Sequence, residues 1–163
     1  MTMGDFFATV FTGNNLAVLG AALATLLAGM GSAKGVNLVA KASDGLLSED
    51  PSKFGKTFAL QALPMTQGFY GFVTGFIILL KAGFLNGTAN LTTADGGFYL
   101  MASLPIAIVG YYSGIKQGEV AAAGVAVVAK RPEQAGRAIT STALVETYAI
   151  LAVLVSLLLI LFR

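Results

Sequence analysis

The run AITSTALVETYAILAVLVSLLLILF, residues 138–162, decides the fold. Its only charged side chain is Glu146. A helix needs roughly 20 apolar residues to cross the hydrocarbon of a bilayer, and this run exceeds that. It lacks the period-2 alternation of a barrel strand, and lipid admits only helices or closed barrels, so it reads as a transmembrane helix. An acid inside such a helix costs roughly 3 kcal/mol on insertion scales, which makes Glu146 a functional candidate.

The rest of the chain agrees with a membrane setting. Of 163 residues, 56% are hydrophobic and only 11% charged, and the mean hydropathy is +0.79. Soluble domains carry about 25% charged residues. There is no Cys and no His, which excludes thiol redox chemistry, disulfides and imidazole metal sites. There is no Trp, so an interfacial belt must use Tyr and Phe. A net charge of +2 without a basic cluster gives no reason to expect nucleic acid. Residues 1–11 hold Asp5 and no Lys or Arg, the wrong sign for the n-region of a cleaved signal.

Working outward from residues 138–162, three more apolar segments occur at about Asn15–Val39, Phe54–Leu80 and Phe98–Ala129. The polar stretches between them place helices at about 12–44, 52–82, 94–129 and 133–162. The chain also repeats itself. GSAKG (31–35), PSKFGK (51–56) and LPMTQGFYGF (63–72) in the first half answer to GIKQG (114–118), RPEQAGR (131–137) and ALVETYAI (143–150) in the second. The expected fold is therefore an all-α membrane protein of four transmembrane helices, built as two tandem helical hairpins over residues 1–83 and 84–163. Lys34, Lys41, Lys53 and Lys56 flank the first connection, and Lys116, Lys130, Arg131 and Arg137 the third. The positive-inside rule puts those two connections in the cytoplasm and both termini outside the cell membrane. Lys34 and Lys116 are expected to snorkel toward the cytoplasmic interface.

The first and third helices are rich in small residues, with Gly110, Gly114 and Gly118 at four-residue spacing, while the second and fourth carry Phe, Leu, Ile and Val. Small residues let helix backbones approach closely in lipid. One reading is close packing inside a single bundle. The other is concentric, with small-residue helices inside and bulky helices facing lipid, which suits many copies in a ring.

Counting along the helices brings polar residues to one depth. Glu146 lies 14 residues after Pro132 and Gln117 lies 13 before Lys130, both about 20 Å from the cytoplasmic turn at 1.5 Å per residue. Gln67 lies 16 residues after Pro51, about 24 Å by the same rise, with Thr66 beside it and Tyr70 one turn further on. One carboxylate, two amide oxygens and a hydroxyl are hard ligands, suited to a hard cation, and a single carboxylate leaves a monovalent ion neutral. Against this, a lone Gln or Thr in a membrane helix commonly serves as a helix–helix hydrogen bond. Pro64 has no N–H, so it releases the Leu60 carbonyl and is expected to bend the second helix.

Together GSAKG, LPMTQGFYGF, SGIKQG, AAAG and VETYAI resemble the proteolipid of V-type ATPases, called K in bacteria and c in eukaryotes, over essentially the whole chain. More narrowly, the chain is similar to the sodium-transporting bacterial form. The resemblance implies a Na+ site made by the Leu63 carbonyl with Thr66, Gln67, Gln117 and the essential Glu146, closed by a hydrogen bond from Tyr70. It implies a homo-oligomeric rotor ring in the membrane lipid, a stator protein with an essential Arg, and a central stalk docked on the cytoplasmic loops. The chain would not be an enzyme by itself, and no Gly-rich loop ending in Lys-Ser or Lys-Thr is present. Met65 stands where these sequences commonly have Gly, and its bulk is expected to bear on the bend at Pro64. The alternatives are the same rotor carrying H+ and a stand-alone four-helix transporter.

Overall fold

The computed structural model describes residues 2–163, and among them every regular element is helical. A short helix α1 (Met3–Val10) precedes α2 (Gly13–Glu49). A 3-10 turn (Pro51–Lys53) leads into α3 (Phe54–Ala62), and a second 3-10 turn (Leu63–Met65) joins α3 to α4 (Thr66–Lys81). Then come α5 (Thr93–Lys130), a third 3-10 turn (Pro132–Gln134) and α6 (Ala135–Leu161). Four units are long and apolar enough to cross a membrane: Gly13–Glu49, Pro51–Lys81, Thr93–Lys130 and Pro132–Leu161.

The boundaries have local causes. Thr12 Oγ1 accepts from the Asn15 amide at 3.2 Å and starts α2. Thr92 and Asp95 close a capping box at the head of α5, which satisfies two of the amides that a helix start leaves without partners. Asp50 ends α2, and its carboxylate accepts from the Ser52 amide at 3.0 Å, so the chain reverses into the Pro51 turn. The Ser52 hydroxyl and then the Lys53 ammonium hold the Asp50 carboxyl below the usual carboxylate range. At the far end, Gly83 at φ 82° lets Phe84 and Gly83 donate back to the Leu79 and Leu80 carbonyls and terminate α4. The helix α2 runs past residue 44 to Glu49 because Leu46, Leu47 and Glu49 favour helix and Pro51 is the first residue that cannot continue it. The helix α1 is an addition to the four expected from hydropathy.

The small residues decide how the helices pack. The stripes of α2 and α5 face one another in parallel along most of their length: Gly13 meets Gly96, Gly20 meets Leu100, Gly31 meets Tyr111 and Gly35 meets Gly114 and Gly118. A Cβ on Gly114 would stand 2.7 Å from the Gly31 carbonyl carbon, and one on Gly20 would stand 2.8 Å from the Leu100 Cα. The bulkier helices lie outside this pair, α4 against α2 through Gly71 and Gly75, and α6 against α5 through Gly124. Phe58, Phe69, Phe72 and Phe76 on one outer span, and Leu144, Tyr148, Leu151 and Leu158 on the other, are exposed. Within one chain, small residues thus line the α2–α5 seam while large apolar side chains of the two outer spans face outward.

Three apolar clusters stack along the bundle. Ala17, Ile78, Tyr99 and Ile160 fill the end near the Ala82–Gly87 turn. Ala24, Ile106, Ala152 and Val153 fill the middle. Val39, Leu60, Ala121, Val125 and Ala138 fill the end near the two proline turns. The polar residues singled out above lie between the middle cluster and this last one.

Candidate ion site between the inner and outer helices

Pro64 breaks the second span, and the break is a 3-10 turn over Leu63–Met65. The Leu63 carbonyl accepts both the Thr66 amide and the Thr66 hydroxyl, the latter at 3.0 Å. The carbonyl that this turn sets among the polar side chains is thus Leu63's, whereas proline geometry alone pointed to Leu60. A 3-10 turn pairs each carbonyl with the residue three ahead, which brings Thr66 back onto Leu63. Met65 is 42% exposed and lines a groove with Phe69 and Phe72. On the other side, the Gly68 amide donates to Ser32 Oγ on α2 at 2.8 Å, tying the turn to the inner helix.

Beyond the turn lies a chain of buried hydrogen bonds. Gln117 Nε2 donates to the Thr142 carbonyl at 3.2 Å. Gln67 Nε2 donates to Gln117 Oε1 at 2.5 Å and to Ser113 Oγ at 3.2 Å. Ser113 Oγ in turn donates to the Val145 carbonyl at 3.2 Å. Both glutamines are 0% exposed, so an unpaired amide here would carry a desolvation penalty of about 1–3 kcal/mol. With both Nε2 contacts taken, Gln67 Oε1 lies 3.4 Å from Thr66 Oγ1. Leu63 O, Thr66 Oγ1 and Gln67 Oε1 therefore form a row of oxygens at 3.0 and 3.4 Å. Oxygens about 2.4 Å from one hard cation and at right angles to each other lie about 3.4 Å apart.

Glu146 is half-buried on α6, and its Oε1 accepts from the Tyr70 hydroxyl at 2.6 Å. Among the described residues its Oε2 makes no hydrogen bond. The six residues expected at the site thus fall into two linked groups: Leu63, Thr66, Gln67 and Gln117 in one, Tyr70 and Glu146 in the other. Val145 joins them, since its carbonyl holds Ser113 and it directly precedes Glu146. Among the described residues no group of three or more His, Cys, Asp or Glu comes together. The chemistry on offer is oxygen coordination with a single negative charge.

Ser113, Ser32 and the Thr142 and Val145 carbonyls did not emerge from the sequence. Ser113 stands four residues before Gln117 on the same helix face, a spacing that could have marked it. Lys34 donates to the Tyr111 hydroxyl at 2.6 Å and lies 4.9 Å from that ring's centre, a contact that the sequence did not suggest. Lys116 pairs with Glu119 at 2.9 Å.

Comparison with known proteins bears on what this site is for. The family of ATP synthase C subunits matches the chain twice, over residues 19–78 and 100–159. The V-type sodium ATPase subunit K of Enterococcus hirae is 47% identical over 159 residues, covering 98% of this chain and 99% of that protein. The A-type ATP synthase subunit K of Methanocaldococcus jannaschii is 36% identical over 145 residues, covering 89% of this chain and 61% of that protein.

Proposed function

The chain belongs to the family of ATP synthase C subunits, as a multi-pass membrane proteolipid of an ATPase membrane sector, and from that premise we propose that it is a rotor-ring component that carries Na+ on Glu146. The ligands are the Leu63 carbonyl, Thr66, Gln67, Gln117 and Glu146, with Tyr70 as the closing hydrogen bond. The observation that carries this reading is the row of Leu63, Thr66 and Gln67 oxygens beside two fully buried glutamines, with one half-buried carboxylate held by Tyr70. The name of the sodium ATPase relative, at 47% identity over nearly the full length, supports the choice of ion.

The mechanism follows from charge. A carboxylate paired with one Na+ is neutral, and a neutral site can travel past lipid where a bare carboxylate cannot. Tyr70 holds Oε1 by a hydrogen bond, so the Glu146 carboxylate keeps its place while loaded. Release needs a stronger competitor for the carboxylate, and a guanidinium on a stationary neighbouring protein supplies one in a bidentate geometry. The chain itself binds no nucleotide, so ATP hydrolysis elsewhere in the complex turns the ring through a stalk seated on the connections at Asp50–Lys53 and Arg131–Gln134. Basic residues flank those two connections, which puts them in the cytoplasm and both termini outside. The two family matches support a reading of the chain as two hairpins, residues 1–83 and 84–163, arisen by duplication, of which only the second carries an acid at the depth of the site.

Carbodiimide labelling of purified rings tests the reading. Labelling of Glu146 proceeds without sodium and is suppressed by millimolar sodium at the same pH. Labelling that tracks pH alone, with no sodium protection, would overturn Na+ in favour of H+. Transport by an isolated monomer or dimer would overturn the rotor itself.

A further inference from the structure

The helix α1 plays no part in the ion site, yet its pattern is strict. Met3, Phe6, Phe7, Val10 and Phe11 recur at the three- and four-residue spacing of one helix face, and Thr2, Asp5, Thr9 and Thr12 occupy the other. All five apolar side chains are exposed among the described residues, Met3 at 73% and Phe7 at 51%. The aromatic rings form a continuous ridge: Phe7 stacks on Phe11 at 5.8 Å between centroids, and Phe6 meets Phe7 edge-on at the same distance. The polar face is satisfied locally. Thr2 and Asp5 form a capping box, and Thr9 Oγ1 donates to the Asp5 carbonyl at 2.8 Å.

The joint to α2 is also built. Asn15 Nδ2 donates to the Thr9 carbonyl at 3.3 Å and to the Val10 carbonyl at 3.0 Å, closing the end of α1 with a side chain from the first turn of α2. Only Phe11 and Thr12 separate the two helices, so α1 lies where the α2 span leaves the membrane. Eight residues make about 12 Å of helix, far too short to cross. The exposed apolar residues Val18 and Leu19 of the candidate span begin seven residues beyond Phe11, so exposed apolar side chains run on from α1 into that span. In a chain without Trp, Phe6, Phe7 and Phe11 are the aromatic residues available as anchors at this end of α2.

We infer that α1 is an interfacial helix that lays Met3, Phe6, Phe7, Val10 and Phe11 into the headgroup–acyl boundary of the phospholipid bilayer, with Asp5 and Thr9 toward water. The absence of Trp makes the test direct. Phe7→Trp and Thr9→Trp each place a single indole on opposite faces of α1 in the full chain, assembled in phosphatidylcholine vesicles. Acyl-brominated phosphatidylcholine should quench Phe7→Trp about threefold more than Thr9→Trp, with the order reversed for aqueous iodide. Phe6→Trp, on the apolar face, should rank with Phe7→Trp and serves if substitution at Phe7 hinders assembly. Equal quenching of both faces by brominated lipid would overturn the proposal. So would an apolar face shielded from lipid and iodide alike, which would assign the ridge to a second copy of the chain.

Discussion

Tyr70 and Glu146 are 76 residues apart in sequence, and their 2.6 Å hydrogen bond joins the two outer spans at the level of the glutamines. A hydrogen bond to a charged acceptor contributes about 1.5–3 kcal/mol. In Tyr70→Phe the carboxylate stays on α6 but loses the donor that holds it. Sodium protection from carbodiimide should then need roughly tenfold or more sodium, at 1.4 kcal/mol per factor of ten, while the ring still assembles. Ser113 makes a different argument. It accepts from Gln67 and donates to the Val145 carbonyl, so it couples the glutamine pair to the helix that carries Glu146. Ser113→Ala removes a net contribution of about 1 kcal/mol, and sodium affinity measured by the same protection should fall about fivefold. A structural role alone would lower ring stability and leave the sodium midpoint where it was.

At the scale of the helices, spans, repeat and site depth are legible in the sequence because each depends on counting along one chain. Glu146, Gln117 and Gln67 share a level simply because helices rise evenly. What counting cannot give is rotation about the helix axis. Ser32 and Ser113 enter the site because their faces of α2 and α5 turn toward the 3-10 turn and toward Gln67, which only packing decides. Lys34 meets the Tyr111 hydroxyl for the same reason: its partner is set by where Tyr111 lies on the neighbouring helix. The helix α1 is legible in the spacing of Phe6, Phe7, Val10 and Phe11, a pattern that a search for spans or signal sequences passes over because it is too short for either. Packing of the inner pair yields a paired prediction. A Cβ at Gly114 would fall 2.7 Å from the backbone of α2, whereas one at Gly29 meets nothing within 4 Å. Gly114→Leu should separate α2 from α5 and abolish ring recovery in mild detergent. Gly29→Ala should leave recovery unchanged and stabilise the helix by a few tenths of a kcal/mol up to about 1.

On the scale of the whole molecule, the site holds a single carboxylate, Glu146, so each chain should bind one Na+ and no more. That stoichiometry links cargo to stability. The folded chain presents the Leu63, Thr66 and Gln67 oxygens together, and a chain whose 3-10 turn has opened does not. A ligand that binds only the assembled form stabilises it by RT ln(1 + [L]/Kd), about 2.7 kcal/mol per site at 100 times Kd. Sodium at that excess should therefore raise the temperature at which rings dissociate into single chains, followed by sizing or gel mobility, while an equal concentration of a large organic cation should not. In Glu146→Gln the amide can still hydrogen-bond Tyr70, so the ring should assemble, but the site has lost the charge that makes Na+ neutral there. Its dissociation temperature should be flat across sodium concentrations. A sodium-dependent shift that survives Glu146→Gln would move the ion away from this carboxylate and onto some other part of the ring.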